Sequence, residues 1–258
     1  MAISLASLRS NLELRPPRIL IHGVAGVGKS TFAAGADNPV FVMTEDGLGR
    51  LEVAHFPLAK TYADVAGALE ALLAEEHSYQ TLVLDSVDWL EPLIWAETCK
   101  RNGWASIEAP GYGKGYGEAL NVWRDYLDLL TRLRDERGMA IIQIAHTDIK
   151  RFDSPEHEPY DRYVIKLQAK ASALLQEQSD VVLFANYQIS VTQAEVGFNK
   201  KVSRALGQGR RVLHTSERPA FLAKNRYGLP DTLDLDWAAF VAAMPQPKPL
   251  TGGQHGTA

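Results

Sequence analysis

Cysteine is almost missing from this chain. Cys99 is the single one, which excludes an intramolecular disulfide and a cysteine-built metal cluster and suits a reducing compartment. Its place in an apolar helical pattern reads as packing. Apolar runs of roughly 18 residues, the length a membrane-spanning helix needs, do not occur. The first residues lack a charged-then-apolar signal pattern, so the expectation is a soluble cytoplasmic protein with no membrane partner. Excess positive charge is lacking too: 27 lysines and arginines face 31 acidic residues, for a net charge of −4. Nucleic acid is therefore attracted only by local patches. Residues 196–213 form one such patch, with Lys200, Lys201, Arg204, Arg210 and Arg211 and no acidic residue; a solvated hairpin explains it equally well. The histidines show no metal-ligand spacing.

What is present is apolar bulk in a regular order. An apolar content of 46% in 258 residues suffices for one sizeable α/β core. Continuous apolar strands are predicted at 18–22, 40–44, 81–85, 139–145 and 181–185. Helical spacing occurs at 62–76, at 88–101 with Trp89, Leu90, Leu93 and Ile94 on the buried side, on to 137 with the stripe Leu120, Trp123, Leu127 and Leu130, and at 167–178. Uninterrupted strands alternating with helices predict a mainly parallel sheet covered on both faces. The chain divides into an arm at 1–17, a core at 18–244 with C-terminal β-hairpin strands and a closing helix, and a polar tail at 245–258 expected to be disordered. Two segments break the pattern. Residues 103–117 read as a mobile loop in which five glycines are mixed with Trp104, Tyr112, Lys114 and Tyr116, and residues 146–161 read as a polar loop.

The most specific stretch is Gly23-Val24-Ala25-Gly26-Val27-Gly28-Lys29-Ser30, which fits G-x-x-x-x-G-K-[ST] with a strand before it and a helix from Ser30-Thr31 onward. Its glycines let successive N–H groups point inward, and the helix start adds partial positive charge. Residues 23–31 are thus candidates to hold a nucleotide, with Lys29 on the β/γ-phosphates and the Ser30 hydroxyl on Mg²⁺. Hydrolysis also requires a carboxylate near the cation and a group that orients water. Asp85, ending an apolar strand, has Walker B character, with helix capping as the alternative. Glu45 is favoured over Asp46 for the water, because its longer side chain reaches further. His146 ends another strand and is a candidate γ-phosphate sensor, or else structural.

In this order the motifs resemble a RecA-like ATPase core. Lys224-Asn225-Arg226-Tyr227-Gly228 looks like the Lys-Asn-Arg-aromatic-Gly motif of the bacterial RadA branch, where the basic residues reach the nucleotide of the adjacent subunit. Closer still, residues 44–51, 85–90 and 223–230 resemble phage-encoded P-loop proteins with a minimal RecA-like core, some of which are single-strand annealing recombinases. The resemblance implies a RecA-like P-loop fold, ATP and Mg²⁺ as cofactors, a homo-oligomer with Lys224 and Arg226 acting across subunits, and a single-strand-binding helper protein. It places 103–117 and 147–162 where two DNA-binding loops lie. There Trp104, Tyr112 and Tyr116 would stack on bases while Lys114, Lys150 and Arg151 meet phosphates.

The leading expectation is an ATP-dependent single-stranded-DNA-binding protein that promotes annealing in phage recombination. A P-loop switch or motor acting on protein partners is the alternative. A small-molecule kinase fits less well, since no arginine-rich lid is visible.

Overall fold

The computed structural model describes residues 15–154, 158–195 and 201–245, with backbone alone at 189–195 and 201–208. Most of the arm at 1–17, and the tail beyond residue 245, lie outside the described residues. Elements follow in the order β1 (Arg18–Gly23), α1 (Lys29–Ala34), β2 (Pro39–Met43), β3 (Ala54–His55), α2 (Tyr62–Ala74), β4 (Thr81–Asp85), α3 (Val87–Asn102) and α4 (Lys114–Glu136). Then come β5 (Ala140–Phe152), β6 (Tyr160–Ile165), α5 (Ala169–Gln178), β7 (Val181–Glu195), β8 (Lys201–His214), β9 (Lys224–Asn225), β10 (Thr232–Asp234) and α6 (Trp237–Ala243).

The sheet runs β10-β8-β7-β1-β5-β4-β2-β3, with β6 on β5 and β9 on β7. Strands β7, β1, β5, β4, β2 and β3 are parallel, and the four others pair antiparallel. This is the expected α/β architecture. Side chains alternate across the pleat, so Leu20, Val42, Leu82 and Leu84 face α2, α3, α4 and α5, while Ile19, Ile21, Phe41, Val83 and Ile142 face α1 and α6. Both faces being covered explains why these strands carry no polar alternation. Helix α2 starts on a reciprocal capping box between Thr61 and Asp64. No helix among the described residues is long and apolar enough to cross a membrane.

The structure corrects the sequence-based expectation in places. Residues 146–152 are not part of a loop: β5 continues to Phe152 and pairs antiparallel with β6, with Thr147 opposite Ile165 and Phe152 opposite Tyr160, and within the expected polar loop residues 155–157 lie outside the described residues. Polar side chains hid this because a two-stranded ribbon projecting from the core has no buried face to mark. Residues 103–117 are also shorter as a loop than expected, since α4 begins at Lys114 after a left-handed Gly113. Gly115 is buried at that start, and a Cβ there would land on the Ile107 carbonyl oxygen. Trp89, expected on the buried side of α3, is 52% exposed.

Two glycines in α4 separate packing from propensity. A Cβ added at Gly117 would meet nothing within 4 Å, so Gly117→Ala should stabilise the fold by about 0.5–1 kcal/mol. Gly115→Ala should destabilise it by about 1–3 kcal/mol through overpacking, both read from urea unfolding midpoints.

Candidate functional site

Parallel strands bring their carboxyl ends to one edge. Gly23 lies beside His146 and Ala185, and Asp85 lies between Met43 and Ile144. Strand β5 separates β1 from β4, which opens a crevice where the topology switches direction. At Gly23 a Cβ would strike the Ala185 carbonyl oxygen, so only glycine allows the chain to leave the strand there. Gly26 and Gly28 hold φ of 72° and 106°, conformations that favour glycine, and α1 starts directly at Lys29.

The loop closes over its own lysine. Lys29 is 6% exposed, and its Nζ donates to the carbonyls of Gly23 at 3.0 Å and Val24 at 3.1 Å. Burial lowers its pKa, against the opposing fields of Asp85, Asp88 and Glu45. Ser30 Oγ donates to Asp85 Oδ2 at 2.6 Å. Burial pushes the Asp85 carboxyl up, opposed by the Ser30 hydrogen bond and Lys29.

Around this pair is a cavity of about 330 Å³ lined by Gly26, Gly28, Lys29, Ser30, Glu45 and His146, among others. That volume is at the small end of ligand pockets. Glu45 borders it whereas Asp46 is exposed and does not. Burial raises the Glu45 pKa, opposed by the Ser86 hydroxyl and the His146 ring. His146 is held by a residue that the sequence marked only as a helix start. Asp88 accepts from the His146 backbone N–H at 2.9 Å and lies 3.0 Å from its Nδ1. The hydrogen bond to Asp88 raises the His146 pKa above 6.5, against the opposing effect of burial. Burial alone would raise Asp88, but the His146 side-chain and backbone donors outweigh it and leave Asp88 below its ordinary 3.8. Glu45 Oε1 is 3.9 Å from the same Nδ1, beyond hydrogen-bond reach.

Tyr187 and Arg211 join the loop without any warning from the sequence. They are register partners on β7 and β8, with Tyr187 Oη donating to Gly26 O at 3.4 Å and Arg211 Nη1 to Val27 O at 3.4 Å. Arg211 counted only as part of a basic run. Its contact with the loop follows from long-range strand pairing, which leaves no local signal.

Other candidates lie elsewhere. Lys224 Nζ donates to the carbonyls of Gln176 at 2.6 Å and Glu177 at 3.1 Å, and Arg226 Nη2 to Glu177 O at 3.2 Å. They cap the C-terminal end of α5, where cations are favourable. Strand β9 pairs with Val181 and Val182, level with Asn225 and Lys224 and at the edge of the sheet opposite Gly23. Within one chain these two residues therefore do not reach the P-loop. Trp104 is half-buried, Tyr112 and Lys114 are exposed, and Lys150 and Arg151 lie on the projecting part of β5. Tyr116 packs edge-on against Trp95 at 5.3 Å. Lys200 and the side chains of Lys201 and Arg204 lie outside the described residues.

A family model described as the AAA domain matches residues 15–227, spanning the loop, both carboxylate strands and β9. No curated protein matches the chain.

The His146–Asp88 pair sets a pH window. His146, with its raised folded value, contributes stability fully below pH 6.5 that is lost as pH rises through that value. Asp88, with its depressed value, contributes above pH 3.8 and loses that contribution as pH falls through its folded value. Asp88→Asn should lower the His146 midpoint in an NMR titration and flatten the stability difference between these limits.

Proposed function

The chain belongs to the AAA domain family of P-loop ATPases, and we propose that it is an ATP-dependent single-stranded-DNA-binding protein that promotes strand annealing in phage recombination. The observation that carries the ATPase half is the convergence of Lys29, Ser30, Asp85, Glu45 and His146 on one cavity. The DNA half is supported by the resemblance of residues 44–51, 85–90 and 223–230, and by Lys150 and Arg151 on the part of β5 that continues past the P-loop strand.

ATP is the substrate this cavity suits. Backbone N–H groups at the start of α1 favour anionic oxygens, and the Lys29 ammonium is held within the loop, where it can exchange its two carbonyl acceptors for phosphate. The Ser30 hydroxyl and the Asp85 carboxylate, 2.6 Å apart, fit a small hard cation. No cluster of three His, Cys, Asp or Glu that could hold a metal occurs among the described residues, so Mg²⁺ here would depend on phosphate oxygens and water for its remaining ligands. When bound, that ion neutralises charge on the transferred phosphoryl group. Glu45, with its pKa raised by burial, orients the attacking water, and His146 senses the terminal phosphate beside it.

Lys224 and Arg226 would complete this chemistry from a second copy, in a homo-oligomer whose site is shared between subunits. A single-strand-binding protein is the natural helper for annealing. The setting is the cytoplasm of a bacterial host.

A second reading, a P-loop switch or motor acting on protein partners, is favoured by Ile149 at 57% and Phe152 at 39% exposure on the projecting ribbon.

Mixing tests the shared site. Lys29→Ala and Arg226→Ala subunits, each inactive, should regain ATPase activity together, because a cation supplied in trans contributes about 10³ to 10⁵ in rate. Mixtures no better than either variant would refute the trans arrangement. Wild-type turnover should rise with oligothymidylate, and oligonucleotide affinity should fall steeply with salt.

A further inference from the structure

A second cavity, of about 500 Å³, lies beside the first. One wall is the outer face of α3, where Asp88, Trp89, Pro92 and Trp95 recur at helical spacing; the other is formed by Tyr116, Lys150 and Lys166. Its floor is acidic by composition but not by available charge. Both oxygens of buried Glu91 accept from the Gln168 backbone N–H at 3.1 Å, and Asp88 is engaged by His146. Among the described residues the ammonium groups of Lys150 and Lys166 form no hydrogen bond or ion pair within 4 Å, and Lys150 acts on Glu91 through its field alone. The cleft thus offers an exposed indole and two ammonium groups without a direct hydrogen-bond partner.

We propose that this cleft holds unstacked bases of a single-stranded polynucleotide and reports its occupancy to the nucleotide cavity through His146. The proposal rests on the reading of the chain as a single-strand-binding ATPase, and it places the strand on α3 instead of on the exposed 103–113 segment. Stacking on Trp89 requires a free base face, which a duplex does not present, and the lysines match the flanking phosphates. Two bonds carry the signal. Asp88 lines the cleft and grips His146, and the Lys166 backbone N–H donates to the His146 carbonyl at 3.0 Å. A strand seated between α3 and Lys166 bears on both attachments of a residue that borders the ATP cavity.

The test titrates labelled oligothymidylate into the full chain at several salt concentrations with a non-hydrolysable ATP analogue. Trp89→Ala, at an exposed position, should weaken binding by about tenfold, as stacking of one base is worth about 1–3 kcal/mol. Lys150→Ala should reduce the salt slope by about 1, and Val241→Ala, at an exposed position on α6 away from both cavities, should stay within about twofold of wild type. Circular dichroism verifies that the Trp89 variant is folded. Asp88→Asn should bind the oligonucleotide yet lose most of its effect on ATP turnover; full stimulation in that variant would overturn the coupling. Unaltered affinity in Trp89→Ala, with wild type binding well, would give the cleft another occupant, such as a peptide or a second copy, and would overturn the proposal alone. Absence of wild-type binding at low salt would remove the single-strand reading as well.

Discussion

A lysine ammonium and an aspartate carboxylate share the dry end of the sheet, and the rest of the site is arranged around keeping both charged groups satisfied. Neither Lys29 nor Asp85 has much access to water, and an unpaired charge in such a place costs several kcal/mol. The loop answers with two of its own carbonyls for Lys29, and α1 answers with the Ser30 hydroxyl for Asp85. Both answers use groups that phosphate oxygens and a hard cation can replace. The same need for partners that orders the loop therefore leaves it prepared for an anion.

Strand β5 ties this centre to the rest of the molecule. Inserted between β1 and β4, it spaces the loop from Asp85, and its continuation past the sheet edge carries His146 and then the projecting ribbon. His22 strengthens that connection from β1. It is buried, its pKa is lowered by burial to about 4, and its ring nitrogens meet Thr147 Oγ1 and Leu222 O, each at 2.9 Å. Because a carbonyl can only accept, Nε2 carries the proton and Nδ1 accepts from the threonine. The strand that opens the P-loop is in this way bonded to the residue after His146 and to the segment leading into β9.

Much of the fold was legible because buried parallel strands and amphipathic helices repeat signals within a few residues. The segments 81–85 and 181–185 show this as continuous apolar runs. The ribbon formed by the end of β5 and by β6 was not legible, since its strands bury no continuous face. Nor was the outward turn of Trp89, which depends on how α3 is rotated against β5, nor the packing role of Gly115, which depends on the neighbouring Ile107 carbonyl. In the site, Lys29 and Ser30 could be found from the glycine-rich loop motif, and Asp85, Glu45 and His146 as polar residues at or just past strand ends. Asp88, Tyr187 and Arg211 could not, because each acts through a contact with a distant element.

Sequence alone determined the loop chemistry and the class of sheet, because backbone conformation at glycine and continuous apolar runs separated by helical spacing are local properties that survive without tertiary context. Tertiary structure alone decided that Asp88 holds His146, that Arg211 and Tyr187 close over the P-loop, that Lys224 and Arg226 cap α5 at the opposite edge, and that α3 shares a cleft with Lys150. Those outcomes depend on strand order, register and helix rotation, which are fixed only when the two faces of the sheet are buried together.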